Sequence, residues 1–286
     1  MKFKRSSKVS FDAEMDHGKK ASSYRKLLQV FLDTGLKPVL FKDYAADISK
    51  KNILLLRHDV DSDLDAALNL ALIDHQMGIK STFYFLPPGD YNKTSNYYGR
   101  ILFGKIWHKY KFSKAIKTIQ SYGHEIGIHN DFVQLSFITK RTIESLIRDE
   151  IKWFKSKGIT IYGTASHGSE FAKKYNFINY EIFSSCKRKN FEANRKIVIE
   201  KFNVPLNALN FNDFDLCYEA YHLPRTHSYS DSSNKIIFTG PNSLKYEVKN
   251  LSTNLKYKNF YIDLKLALES QSSCVISILI HPEWWN

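Results

Sequence analysis

The most ordered pattern in the chain is the run Asn52–Asp63, NILLLRHDVDSD, in which aliphatic positions give way abruptly to His58, Asp59 and Asp61. An apolar run of that length bounded by polar residues predicts a strand buried on both faces, which points to a parallel sheet. Behind it LDAALNLALIDHQMG reads as a helix stopped at Gly78, and IKSTFYF, 79–85, as a second strand ended by Pro87-Pro88. Strand, helix and strand at that spacing form a βαβ unit. Upstream, 22–35 has apolar positions at Leu27, Leu28, Val30, Phe31 and Leu32 with a glycine end, which predicts an amphipathic helix covering one side of the sheet.

Downstream the same periodicity predicts a polar, tyrosine-rich connection over 89–112, a helix from Ser113 to Ser121, and a third strand in HEIGIHNDF that ends at His129. A helix from Thr142 to Lys157 precedes a fourth strand, ITIYGTASHG, which ends at His167. Residues 170–234 alternate too weakly to parse beyond short strands at KIVIEKF and LCYEAY. KIIFTG then reads as a strand, YIDLKLALES as a helix, and CVISILIHPEWWN as a last buried strand that expels His281.

Strand side chains alternate, so Asp59 and Asp61 leave on one side and His58 and Val60 on the other. A capping box of Ser62 and Asp65 would account for acid at the helix start, but not for two carboxylates converging. Like charges held together repel and need a cation or donors to compensate. Four predicted strands thus end in titratable residues: Asp59 with Asp61, His129, His167 and His281. In barrels and doubly wound sheets of parallel strands, all such ends share one face, and that face carries the chemistry. Two imidazoles and a carboxylate are a usual donor set for a catalytic divalent ion such as zinc, which brings the pKa of water from about 15.7 toward 7. A second carboxylate can take the proton, and a histidine across the site can protonate a leaving group.

Composition narrows the picture further. With 286 residues and 43% hydrophobic content, the chain can form one α/β barrel domain over 1–286, with 1–50 as a helical extension. Three widely spaced cysteines, Cys186, Cys217 and Cys274, give neither a disulfide framework nor a zinc knuckle. Neither a membrane-length apolar run nor a signal-peptide pattern is present, so a cytoplasmic location and no transmembrane segment are expected. The excess of 42 − 29 = 13 basic groups is scattered, which argues against nucleic acid and suits an anionic small substrate.

The motifs resemble those of the polysaccharide deacetylase superfamily, the NodB-homology carbohydrate esterases, in a branch whose first motif reads HDVD. Leu56 to Asp61 stands where that superfamily has its paired aspartates, GIKSTFYF is similar to its next strand, Gly123 to His129 resembles its metal-histidine run, and Ile280-His281-Pro282 its last motif. The resemblance implies a distorted (β/α)7-type barrel of mostly parallel strands, a divalent metal, zinc first, and removal of acetyl groups from sugars. It implies Asp59 as base and Asp61 as metal carboxylate, or the reverse, with His129 as metal ligand and His281 as acid. Arg57, Asp231 and Trp284 are the implied substrate-side residues, with Asp231 also able to orient the acid and Trp284 or Trp285 to wall the acetyl pocket. His124 is expected to be structural. One position departs from the pattern: Val133 stands where a second metal histidine belongs, so the third ligand is His167, or Asp131, or the metal is lost. The expected substrate is a nucleotide-linked or lipid-linked sugar of surface polysaccharide biosynthesis. The alternatives are an amidase for a small non-sugar amide and a non-catalytic carbohydrate-binding protein.

Overall fold

The computed structural model describes residues 22–89, 96–188, 195–199, 202–232, 236–239, 245–248 and 274–285. Its centre is a curled sheet in the order β10-β7-β6-β3-β2-β14-β11-β12-β13. From β10 (Tyr218–Glu219) through β7 (Gly163–Ser166), β6 (Glu125–Asn130), β3 (Thr82–Phe85), β2 (Ile53–Val60) and β14 (Val275–Ile280) to β11 (His227–Ser230), every pairing is parallel. β12 (Ile236–Thr239) and β13 (Lys245–Val248) add antiparallel ribs, and β1 (Lys37–Pro38) pairs beside β2. Helices α1 (22–33), α2 (Phe41–Ala46), α3 (Leu64–Gln76), α4 (Tyr110–Ser121), α5 (Phe132–Thr139), α6 (Ile143–Ser156) and α7 (Glu170–Lys174) lie around it, giving a distorted (β/α) barrel, the fold that the resemblance implies. Two small hairpins stand outside the sheet: β4 (Gly99–Leu102) with β5 (Lys105–His108), and β8 (Lys196–Ile199) with β9 (Phe202–Pro205).

Strand β2 shows how the alternation sorts chemistry. Leu54 and Leu56 point outward and pack with Leu27, Leu28 and Phe31 of α1, together with Ile276 and Ile278 of β14. Each such fully buried side chain contributes about 1.5–3 kcal/mol. Ile53 and Leu55 point inward and join Phe41, Tyr84, Tyr218 and Val275 in the barrel interior. Above them on the same inward side come Arg57 and Asp59, both buried. Outward-facing His58 is stacked on Phe83 and bonded through Nε2 to Asp74 at 2.8 Å, under Tyr24.

The lower barrel is plugged by two tyrosines, and this needs two glycines. A Cβ on Gly127 would lie 2.5 Å from the Tyr84 ring and one on Gly163 would lie 2.3 Å from the Tyr218 ring. The two hydroxyls meet at 2.8 Å, and Tyr218 donates to Glu125 Oε1 at 2.8 Å. Thr82 and the Lys42 backbone N–H supply Glu125 Oε2. Burial pushes the Glu125 carboxyl above its ordinary pKa, because its partners are neutral donors.

Three local expectations change. The cap of α3 is Asp63, whose carboxylate accepts from the N–H groups of Asp65 and Ala66, so Ser62 and Asp65 form no capping box. The connection 89–112 holds the β4–β5 ribbon and the first turn of α4. KIVIEKF is not one strand: Lys196–Ile199 form β8, and Phe202 opens β9, which pairs antiparallel with it. The helix expected at YIDLKLALES lies outside the described residues, as do residues 1–21 of the expected N-terminal extension.

Candidate metal centre

The carboxyl ends of β2, β6, β7 and β14 meet at one rim. Asp61, one residue past β2, has Oδ1 3.4 Å from His129 Nε2 and Oδ2 3.9 Å from His167 Nε2. One ligand atom from each of Asp61, His129 and His167 lies within 4.8 Å of the others, so the group can hold a metal ion. Asp61 Oδ1 is buried with no hydrogen-bond partner among the described residues, which is the condition of a carboxylate oxygen left for a cation.

Both imidazoles are turned to present Nε2. His129 Nδ1 bonds the Ala165 carbonyl oxygen at 2.8 Å, which fixes that nitrogen as the N–H and leaves the Nε2 lone pair on the site. His167 Nδ1 faces Asp131 Oδ2 at 3.2 Å, and Asn179 Nδ2 donates to Asp131 Oδ1 and to the His167 carbonyl. A carboxylate or carbonyl behind each histidine is the arrangement that orients metal-binding imidazoles. Burial lowers the pKa of His129 against the pull of Asp59 and Asp61, so its ring is neutral. For His167 burial acts in the same direction but is outweighed by the Asp131 carboxylate, and its pKa is raised.

Asp59 lies beside this group, with Oδ2 3.5 Å from His129 Nε2. Arg57 grips it from below through two parallel bonds, Nε to Oδ1 at 3.1 Å and Nη2 to Oδ2 at 2.6 Å. The guanidinium in turn lies over the Tyr221 ring, 4.3 Å from its centroid. Burial would raise the Asp59 pKa, but the Arg57 charge, with His129 and His281, overrides it and holds the carboxyl below its usual range. Across the rim, His281 Nδ1 bonds Asp231 Oδ1 at 2.6 Å, and its Nε2 lies 4.0 Å from Asp61 Oδ2. Asp231 also accepts from the His281 backbone N–H and from Trp285 Nε1, both at 2.8 Å. Burial opposes protonation of His281, and the bonded Asp231 wins, raising the pKa to about 9.

Arg57 and Asp231, expected on the substrate side, are therefore buried and committed to Asp59 and to His281. Two guanidinium nitrogens of Arg57 lie on the Asp59 carboxylate, and the Asp231 carboxylate holds three donors. Trp284 stands at the mouth, its ring 6.2 Å from that of His281, with Nε1 buried and without a partner among the described residues. Val133 is turned into the hydrophobic core on α5 and takes no part. His124 is structural, bonded to Ser81 and to the Ala71 carbonyl.

Sequence reasoning did not single out Asn179 or Glu283. Asn179 sits in a short 3-10 turn within the stretch that periodicity cannot parse. Glu283, in the HPEWW segment, has a buried Oε2 with no partner among the described residues, and burial together with the nearby Asp61 charge raises its pKa to about 7. Its place two residues after a strand-end histidine is the available signal.

Fold and rim together define an α/β barrel with a candidate metal centre at the carboxyl ends of its strands. No family model, curated protein or solved structure matches the chain.

Proposed function

We propose that the chain is a metal-dependent hydrolase that removes an acetyl group from an acetamido or O-acetyl sugar, with zinc as the first candidate ion. One observation carries this reading: the donors of Asp61, His129 and His167 lie between the carboxylate of Asp59, bonded by Arg57, and the imidazole of His281, bonded by Asp231. A divalent ion bound there supplies acidification of water and polarisation of a carbonyl.

The rest is the work of the chain. Asp59, kept ionised by Arg57, accepts the proton of the attacking water. The water oxygen bonds to the acetyl carbon, the carbon–nitrogen or carbon–oxygen bond to the sugar breaks, and His281 gives its Nε2 proton to the departing sugar atom. Asp231 holds His281 through Nδ1, so the proton to be given faces the site. Trp284 offers an apolar wall for the small acyl group. The resemblance of the HDVD, GHEIGIH and IHP segments to polysaccharide deacetylases supports acetylated sugars over other amides. The basic surface suits a nucleotide-linked or lipid-linked sugar, and a cytoplasmic place in surface polysaccharide biosynthesis would follow from that.

Elemental analysis of the purified chain, with acetate release measured on a panel of nucleotide-linked acetamido sugars, tests the reading. About one divalent ion per chain and acetate formation are expected, and both should disappear in Asp61→Ala. A chain that retains no ion and gains no thermal stability from added zinc, cobalt, nickel or manganese would instead be a carbohydrate-binding protein. An ion-loaded chain that cleaves only small non-sugar amides would be an amidase.

A further inference from the structure

The β4–β5 ribbon is rooted at the rim and turned outward. Tyr97, just before it, donates its hydroxyl to the Val60 carbonyl at 2.6 Å, one residue from Asp61. One face of the ribbon, with Ile101 and Ile106, packs on the core. The other face pairs Arg100 with Trp107 and Leu102 with Lys105, so each cross-strand pair sets an apolar group beside a cation. Leu102 is 47% exposed, Trp107 60%, Tyr110 just beyond 85%, and Phe103 at the tip 98%. Lys109 and Lys111 flank Tyr110, Lys111 reaching Asp65 at 2.7 Å. Lys140 and Arg141 lie at the α5–α6 corner, where Arg141 Nη1 approaches the Gly104 carbonyl at 3.5 Å.

The tip residue is expensive where it stands. Phe103 has φ 51° and Gly104 φ 70°, a two-residue turn whose left-handed positions favour Asn, Asp or Gly. A bulky ring in that region is strained, and here its exposure means that it gains no burial in return.

We propose that this ribbon docks the protein on an anionic membrane surface, with Phe103 and Leu102 entering the acyl boundary, Trp107 and Tyr110 at headgroup depth, and Arg100, Lys105 and Lys109 on anionic headgroups. Aromatic and cationic groups graded back from a protruding apolar tip match an interfacial anchor. A nucleic-acid surface would present mainly cations along a groove, and a protein hot spot would sit in an enclosing rim. Because the ribbon grows from the rim, docking would bring the mouth of the barrel to the lipid surface. The inference does not rest on the hydrolytic reading.

Co-sedimentation of the full chain with vesicles tests it, comparing phosphatidylcholine alone with phosphatidylcholine containing 30 mol% phosphatidylglycerol, a fraction of about one lipid in three. Binding to the anionic vesicles should be at least about tenfold tighter and should weaken with added salt. The double variant Phe103→Gly, Trp107→Ser should bind about tenfold or more weakly while its circular dichroism and melting temperature are kept, since glycine suits the turn. Asp61→Ala should bind vesicles like the unmodified chain, which separates failure of docking from failure of hydrolysis. The proposal is overturned if the unmodified chain stays in the supernatant with both vesicles, or if the double variant binds as well as the parent. It is equally overturned if the ribbon variant loses oligonucleotide binding or self-association rather than vesicle binding.

Discussion

Asp59 and Glu125 are both buried inside the barrel, and they have opposite characters. Asp59 lies in the upper layer against the Arg57 guanidinium and is held below its ordinary pKa. Glu125 lies at the floor among the hydroxyls of Tyr218 and Thr82 and one backbone N–H, and burial holds it above. Burial is common to both, so partner charge decides. The comparison separates a carboxylate kept charged at the open end from one that completes the plug below it.

Exchanging the charge at each position sharpens the contrast. Asp59→Asn should have the largest effect: turnover should fall by about 10²–10⁴-fold as the proposed base is lost, and stability by about 3 kcal/mol because Arg57 is left as a buried charge without its counter-ion. Acetate-release kinetics and urea unfolding would read the two losses, and unchanged turnover would remove Asp59 from the reaction. Next comes the support behind the site. Asp131→Asn should weaken metal affinity by about 10–100-fold without abolishing it, measured by competition with a chelating dye, because His167 loses its anionic partner.

The smallest effect belongs to the floor. Glu125→Gln should change stability by no more than about 1 kcal/mol at neutral pH. Its sign follows from the raised pKa. The folded state favours protonated Glu125, so ionisation costs stability as pH rises from the unfolded value of about 4.3 through the raised folded value. The variant should therefore gain on the parent toward alkaline pH and lose that advantage at pH 4, as followed by unfolding curves across that range. Asp59 has the opposite sign, contributing stability above its unfolded pKa that is lost as pH falls through the depressed folded one. A Glu125→Gln chain that behaved like Asp59→Asn would dissolve the contrast.

The sequence made the rim legible because aliphatic runs ending in Asp or His mark strand ends whatever the rest of the fold does. Asp61, His129 and His167 come together for that reason, although 106 residues of sequence, 167 − 61, separate the first from the last. What surrounds them was less legible. Whether Arg57 faces substrate or Asp59 depends on the inward alternation of β2 and on the room beneath it, which pattern alone does not give. Asn179 is placed by a 3-10 turn with no periodicity, and the ribbon turns at Phe103-Gly104 without the Asn-Gly pair that announces such hairpins. Ser62 and Asp63 are both good caps, and only the chain path chooses between them.

His129 is tied to the Ala165 carbonyl, and the His167 N–H to the Asn130 carbonyl, through the parallel pairing of β6 with β7. The two imidazoles are thus spaced by the backbone ladder itself. A one-residue slip between those strands would turn one ring away and leave the candidate site with half its nitrogen donors. A metal ion held there would therefore favour one register over its neighbours, proofreading the very alignment that creates its seat.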